Sequence, residues 1–298
     1  DEAEYAYTNN DICDFVNGSW SPANPMSNIW SSSYKAIQIC NQYLAEFQGL
    51  TFDELKLNDD YRAQMFRYTN SFKEARFLRA YFYFNLVRAY GDVPYFTEMV
   101  TTDQVNSLTR TPAQEIFNAI IAECDKLSTE LPADYTKLGL DGIAPAENGR
   151  VTCYAALALK ARAALYAASP LFNPENNKDL WRRAAEANKE VIETCTANGF
   201  KLSKYSELWG PNNWSNNEMI FVRRYNGNIS TLEEYNFPMG VPGGNSGNCP
   251  TQNMVDAYEM KATGKMWNET GSGYDASNPY AGRDPRFDMT IVKNGDTK

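Results

Sequence analysis

The residues of this 298-residue chain best suited to chemistry are aromatic side chains that lie outside the predicted helices. Sugar rings have apolar faces that pack on aromatic planes, and their hydroxyl groups hydrogen-bond amides, carboxylates and guanidinium groups. Exposed aromatic residues beside Asn, Asp and Arg are therefore what a glycan-binding site requires. The candidate ligand-binding residues are Trp20, Asn24, Trp209, Trp214, Tyr235 and Trp267.

The local sequence explains the choice of these six residues. Trp20 and Asn24 lie in a turn-forming stretch, residues 17–25, which offers no apolar face to bury the indole. Trp209 and Trp214 bracket a Gly-Pro-Asn-Asn turn, and the other two candidates lie in the irregular last third of the chain. For every ring the alternative is local packing onto the scaffold, since Trp is commonly mostly buried even in loops.

Composition removes most catalytic chemistry from the chain. There is no histidine, which excludes Ser-His-Asp and Cys-His nucleophile systems, His-ligated zinc and an imidazole general base. The 28 basic and 37 acidic residues give a formal net charge of −9. Because phosphate backbones and anionic lipid headgroups would repel such a chain, binding to nucleic acid is disfavoured.

Carboxylates are the remaining groups that could support an enzyme, here a glycosidase. Glycosidases place two carboxyl groups about 5–10 Å apart across a cleft. The adjacent pair Glu233–Glu234 rarely achieves that geometry, and a solvated charged face explains it better. We therefore expect no catalytic residues, no enzyme activity and no cofactor.

The cysteines and acidic clusters do not indicate a metal site. Six cysteines occur without a CxxC pair, so a metal knuckle or redox motif is not expected, and buried free thiols are the preferred interpretation. Residues 58–60 lack the alternating ligand spacing of an EF-hand.

The most apolar window, residues 154–168, contains Lys160 and Arg162 and does not resemble a membrane span.

Apolar periodicity predicts helices over the first two-thirds of the chain. They are expected over 29–47, 71–90 ending at Gly91, 111–129, 152–168 with Thr152 as the cap, and 178–196. Residues 71–74 and 111–114 have the spacing of capping boxes. Three of the starts are about forty residues apart, as in helix-pair repeats. Trp30 and Trp181 fall on apolar helix faces and are predicted to be core residues.

The last third has a different character. It is rich in Gly, Asn, Pro and aromatic residues, with strands predicted at 219–225 and 287–292 and a short helix at 252–260. We therefore divide the chain into a helical scaffold with an N-terminal loop, residues 1–200, and a loop-rich, ligand-facing lobe, residues 201–298. Long irregular segments on a rigid scaffold are where binding residues concentrate.

One long motif and an ordered set of shorter ones point to a family. Residues 74–96 read EARFLRAYFYFNLVRAYGDVPYF. The shorter motifs are Trp30…Tyr34…Ile37…Asn41, Arg110-Thr111-Pro112…Glu115, Gly149–Thr152, Trp181…Ala184-Ala185, Asn217–Phe221, Pro250–Met260 and Asp284–Phe287. Together they resemble the SusD/RagB family of Bacteroidota surface nutrient-binding lipoproteins. The chain resembles the larger, N-terminal part of such a protein.

The resemblance implies a mostly α fold of tetratricopeptide-like helix pairs carrying a loop-rich lobe with short strands. It also implies a non-enzymatic protein that captures glycans, or sometimes peptides, at the cell surface. Such a protein delivers its ligand to a SusC-like TonB-dependent transporter, and an N-terminal lipid anchor outside this chain holds it at the outer membrane. The alternative is a peptide-binding or protein-interaction scaffold, which would expose its conspicuous residues on helix faces instead of in loops.

Overall fold

The computed structural model describes residues 2–6, 13, 18–19, 21, 28–140, 149–209, 213–223 and 236–296. The chain divides into two compact units. The helical unit is Asn28–Arg224, and the loop-rich unit combines Asp1–Ser27 with Tyr225–Lys298. The division at residue 200 that the sequence suggests stays a prediction about where a ligand-facing lobe begins.

Six helices build the helical unit in the part of it that the structure describes. They are α1 (Trp30–Glu46), α2 (Tyr61–Tyr90), α3 (Thr102–Ser107), α4 (Ala113–Glu130), α5 (Cys153–Ala168) and α6 (Lys178–Ala197). Helix α1 packs on α2, α2 on α4, and α5 lies between α4 and α6. The prediction of a mostly helical chain built from packed helix pairs is therefore confirmed.

Helix α5 is buried on nearly every side, which its composition permits. Its Ala156, Ala163, Ala164 and Ala168 are inaccessible or almost so. Small side chains let neighbouring helices approach closely, and a helix that is apolar all round must be enclosed by others. The larger residues of the core come from α2 and α4 and include Phe77, Phe84, Leu86, Ile116, Phe117 and Ile120.

Helix α2 begins earlier than the sequence suggests. It starts at Tyr61, so Ser71 lies inside the helix and the predicted capping box over 71–74 is wrong. The Ser71 hydroxyl instead donates to the carbonyl of Tyr68 at 2.5 Å. The end is as predicted: Gly91 follows the last helical residue with φ of 71°, a value that L side chains rarely adopt.

The second predicted capping box is also wrong, whereas the Thr152 cap is confirmed. Pro112 occupies the cap position of α4, and the Asp92 carboxylate accepts from the Ala113 amide at 2.8 Å in place of a Thr hydroxyl. The Thr152 hydroxyl accepts from the amide of Ala155. A complete capping box does occur, but over 101–104 at the short helix α3.

Two tryptophans on the helices behave differently from each other. Trp30 packs against the main core and lies 4.9 Å from Tyr34 between ring centroids, as its predicted core role requires. Trp181 is 37% exposed, and its indole N–H donates to the side chain of Asn176. The prediction that Trp181 is a core residue is therefore wrong.

The loop-rich unit has little regular structure in its described residues. Strand β1 (Ala3–Tyr5) pairs antiparallel with β2 (Asn248–Pro250), and two short helices follow, α7 (Gln252–Asp256) and α8 (Phe287–Thr290). Val255, Phe287 and Ile291 form a small core there.

Both predicted strands of the last third are corrected. The segment 287–292 begins as a helix because Phe287 and Ile291, four residues apart, must face the same small core. Residues 219–223 are irregular, with a bend at 220–221 and without a strand partner among the described residues, and Phe221 packs edge-on against Phe77 in α2. The helix predicted over 252–260 ends at Asp256.

No helix in the described ranges combines the length with the apolar composition that crossing a bilayer requires.

Candidate functional site

Trp267 is the one candidate residue whose side chain lies within the described part of the chain. It sits in a loop of the loop-rich unit that two isolated bridges close, since Met260 pairs with both Lys265 and Arg283. The indole is half-buried, and its centroid lies 5.3 Å from that of Tyr274 at a steep angle. This edge-on arrangement is the favoured geometry for two aromatic rings and holds both in place.

The hydroxyl of Ser272 connects the two aromatic residues. It donates to the carbonyl of Trp267 at 3.0 Å and accepts from the amide of Tyr274 at 3.2 Å. Ser272 itself is buried, and its carbonyl accepts from the hydroxyl of Thr263. The Glu269 carboxylate accepts from the amide of Met266 and completes the turn. The Trp267 ring is therefore positioned by a hydrogen-bonded loop.

A buried arginine supports Tyr274 from the other side. Arg283 is 5% exposed, and its guanidinium carbon lies 5.2 Å from the Tyr274 ring centroid. Its nitrogens donate to the carbonyls of Tyr258 and Pro279 at 2.9 and 3.1 Å. A guanidinium over an aromatic face is attracted by the ring quadrupole, more strongly when both are desolvated. Arg283 therefore positions Tyr274, and through it Trp267.

Polar groups for sugar hydroxyls are close in sequence to this pair. Hydrogen bonds from the Ser277 side chain and amide lower the pKa of Asp275, so its carboxylate stays an acceptor at neutral pH. The loop therefore combines a partly exposed indole at Trp267 with a carboxylate at Asp275 in the same segment of the chain.

Sequence reasoning missed Ser272, Tyr274 and Arg283 as members of this group. The only signal was that Arg283 directly precedes the Asp284–Phe287 motif. The sequence does not show that this arginine folds back over Tyr274, because that depends on the bridges at Met260.

For the other five candidate residues the structure gives at most the position of the backbone. Trp209 ends a 3₁₀ turn, Tyr205–Trp209, and Trp214 is central in the next, Asn213–Ser215. The two turns lie together in the helical unit. Trp20, Asn24 and Tyr235 lie outside the described residues, as do Glu233 and Glu234. A shared aromatic platform formed by the six candidates stays a prediction.

The described ranges contain no candidate metal centre, because no three or more Asp, Glu or Cys side chains are placed so that they could hold a metal ion. The described cysteines are all free thiols, and burial raises the pKa of Cys124 to about 12. A thiol with so high a pKa is inert at neutral pH.

Two protein-family models match this chain, one in its N-terminal part and one in its C-terminal part. Residues 3–165 match a family model described as starch-binding and associating with the outer membrane. Residues 208–298 match the model of the SusD family. The first match alone covers more than half of the chain.

Individual relatives agree with the family models. The SusD-like protein P25 of Formosa agariphila is 24% identical over 294 residues, which cover 90% of this chain and 49% of that protein. A solved SusD-like carbohydrate-binding protein of Bacteroides fragilis is 27% identical with a TM-score of 0.73, and the match covers 100% of this chain and 52% of that one. The chain therefore spans about half the length of these relatives.

A third relative carries information on ligands. A laminarin-binding SusD-like protein is 25% identical, with a TM-score of 0.56 over 74% of this chain and 42% of that one. Members of the family are carbohydrate-binding proteins and not enzymes. The sequence motifs and the packed helix pairs of the chain agree with the two family models. These models show that the chain belongs to the SusD family.

Proposed function

We propose that the protein containing this chain captures oligosaccharides at the bacterial cell surface and passes them to a TonB-dependent transporter. Family membership supports carbohydrate binding and association with the outer membrane. The single structural observation that carries the proposal is the half-exposed Trp267 ring, which Tyr274 and the Ser272 hydroxyl hold in a fixed orientation. A ring held in advance binds a sugar face at a smaller entropic cost.

The proposed site is a shallow aromatic platform. Trp267 is its described member, and Trp20, Trp209, Trp214 and Tyr235 are proposed as further rings, with Asn24 as a partner for hydroxyl groups. Neutral sugars offer no charge, so the net charge of −9 neither attracts nor repels them. We therefore expect affinity to change little with salt concentration.

The relatives suggest which glycans to test first. One family model is described as starch-binding, and one structural relative binds laminarin. We therefore propose a glucan as the ligand class. Isothermal titration with maltoheptaose, laminarihexaose and a set of peptides tests this proposal. Saturable binding of a glucan supports it. Binding of peptides alone would favour the protein-interaction alternative.

The finer parts of the proposal need cellular tests. We propose a surface lipoprotein with an anchor outside this chain and a SusC-like transporter as its partner. Protease treatment of intact cells should digest the full-length protein, and a tagged copy should co-purify with a TonB-dependent transporter from solubilised outer membranes. An intracellular, protease-resistant protein would contradict the localisation, and purification without such a transporter would contradict the partner.

A further inference from the structure

The helical unit contains a cleft of about 610 Å³, and the described residues that line it belong to that unit. Its walls are formed by residues 132–138 and 149–150 between α4 and α5, the start of α5, residues 198–200 after α6, and residues within 215–222. Ligand-binding pockets usually measure about 300–1,000 Å³, so this cleft is large enough for one or two sugar rings. We refer to it as the helical-unit cleft.

Two aromatic residues line one side of the cleft. Tyr154 and Phe200 pack edge-on, with ring centroids 4.8 Å apart. Tyr154 is only 6% exposed, yet its hydroxyl makes no hydrogen bond with any described residue. The hydroxyl oxygen itself is not closed off from solvent, because Asn70 Oδ1 is the one fully buried side-chain atom without a partner among the described residues, so the Tyr154 hydroxyl is open to the cleft. A ligand hydroxyl in the cleft would supply the missing partner.

Amide side chains form another part of the wall. Asn216 has a structural role, since its side-chain oxygen accepts from the Ser203 hydroxyl and the Glu218 amide. Asn217 is exposed, and its side chain has no hydrogen-bond partner within the described ranges. An amide both donates and accepts, which matches the double character of a sugar hydroxyl.

The charged side chains that line the cleft are already neutralised by other residues. The Arg150 guanidinium makes two hydrogen bonds of 2.8 Å to the Glu74 carboxylate. The Asp134 carboxylate accepts from the Thr136 hydroxyl and lies 3.2 Å from the Lys137 ammonium. Each charged side chain among the described lining residues therefore already has a partner of opposite charge, whereas a neutral polyhydroxylated ligand meets rings, a free hydroxyl and an amide.

We propose that the helical-unit cleft is a second saccharide-binding site, in which the Tyr154 hydroxyl and the Asn217 amide bind hydroxyl groups of a neutral sugar that packs on Phe200. The choice of a sugar over another neutral polyol rests on the proposed function. The site itself rests on the unpaired Tyr154 hydroxyl in the wall of the cleft, the ring pair and the compensated charges. The described residues that line the cleft all belong to the helical unit, whereas Trp267 belongs to the loop-rich unit.

Hydroxyl-radical footprinting can report on the two sites separately. The whole chain is oxidised at increasing concentrations of maltoheptaose, laminarihexaose or mannohexaose, and mass spectrometry follows Phe200 and Trp267. We expect at least one of these neutral probes to protect Phe200. In Tyr154→Phe and Asn217→Ala, half-maximal protection of Phe200 should require about fivefold to tenfold more sugar, as expected for one lost hydrogen bond.

A matched control isolates the hydroxyl. Tyr81→Phe makes the same change on an exposed face of α2, outside the cleft, and should leave the protection curve of Phe200 unchanged. The melting temperature of each variant shows whether its fold is intact. Protection of Trp267 without Phe200 overturns the second site but not the proposed function. Protection of Phe200 alone contradicts the Trp267 platform, and protection of neither ring by any probe contradicts both.

Discussion

The Arg150 guanidinium binds the Glu74 carboxylate through two parallel hydrogen bonds, each 2.8 Å long, although 76 residues separate the two in sequence. Glu74 also accepts a hydrogen bond of 2.6 Å from the hydroxyl of Tyr135. The pair joins the middle of α2 to the segment that enters α5. Its side chains are 25% and 15% exposed, so it is well protected from solvent.

We expect Arg150→Ala to lower the free energy of unfolding by about 2 kcal/mol, between the values for exposed and fully buried ion pairs. Arg150→Lys should recover only part of this loss, because a lysine cannot form the bidentate contact. Denaturant unfolding measures both changes. Arg182→Ala, which removes an exposed pair on α6, is the control and should cost less than about 0.5 kcal/mol. Equal losses in Arg150→Ala and Arg182→Ala would contradict the prediction.

Trp267→Ala should weaken oligosaccharide binding by about tenfold, since one stacking ring contributes roughly 1–2 kcal/mol. Isothermal titration measures the loss of affinity. Trp181→Ala removes an exposed indole from α6 and should leave binding unchanged. If Trp267→Ala lowers the melting temperature but binds as the wild type does, the ring has a packing role and the site is wrongly placed.

The same test applies to Trp20, which the sequence selects and which lies outside the described residues. If the ring contacts ligand, Trp20→Ala should weaken binding of the glycan and leave the melting temperature unchanged. A variant that melts early and still binds normally would show that Trp20 packs locally.

Thiol reactivity should differ sharply among the cysteines. Cys249 is exposed, whereas Cys40 and Cys124 are buried in helices. Because burial raises the pKa of Cys124 to about 12, only on the order of one thiol in ten thousand is ionised at pH 8. Iodoacetamide followed by mass spectrometry should therefore find Cys249 alkylated first and Cys124 only after denaturation. Rapid alkylation of Cys124 in the folded chain would contradict its placement in the core.

Acid should weaken the contact between Asp284 and Arg286 in the loop-rich unit. Hydrogen bonds from the Arg286 side chain and amide lower the pKa of Asp284 from 3.8 to about 2. A carboxyl group whose pKa falls on folding stabilises the folded state above its unfolded pKa, and that contribution disappears as pH falls through the folded value. The melting temperature of wild type should exceed that of Asp284→Asn above about pH 4, and the difference should shrink towards pH 2. A difference that is constant from pH 2 to pH 6 would rule this out.

Local signals explain which helix ends were predictable. The Thr152 cap and Gly91 act within one turn of the helices that they bound, so residue type alone locates them. The first ten residues of α2 are different. Their position depends on distant partners: the Tyr68 hydroxyl donates to the Phe47 carbonyl, and the buried Asn70 amide donates to the Tyr135 hydroxyl. No pattern within residues 61–70 contains these contacts.

The residues of the candidate sites were also only partly predictable, because their neighbours are distant in sequence. A tryptophan in an irregular segment is visible in the sequence, which is how Trp267 was selected. Its neighbours Tyr274 and Arg283 are brought to it by the loop bridges. In the sequence, Tyr154 simply falls within the predicted helix 152–168, and only the structure shows that Phe200, 46 residues later, packs against its ring in the wall of a cleft.

The alanine-lined surface of α5 has a consequence for how the helical unit unfolds. Helix α5 exposes only a narrow strip that contains Arg162 and Leu165, so much of its apolar surface would face water if either α4 or α6 left. The three helices should therefore open together, with one common free energy of amide hydrogen exchange. Helix α3, which contains no buried residue, should exchange its amides independently and much faster. The short helix α3 can therefore unfold locally at little cost, while α4, α5 and α6 are expected to be kept or lost together.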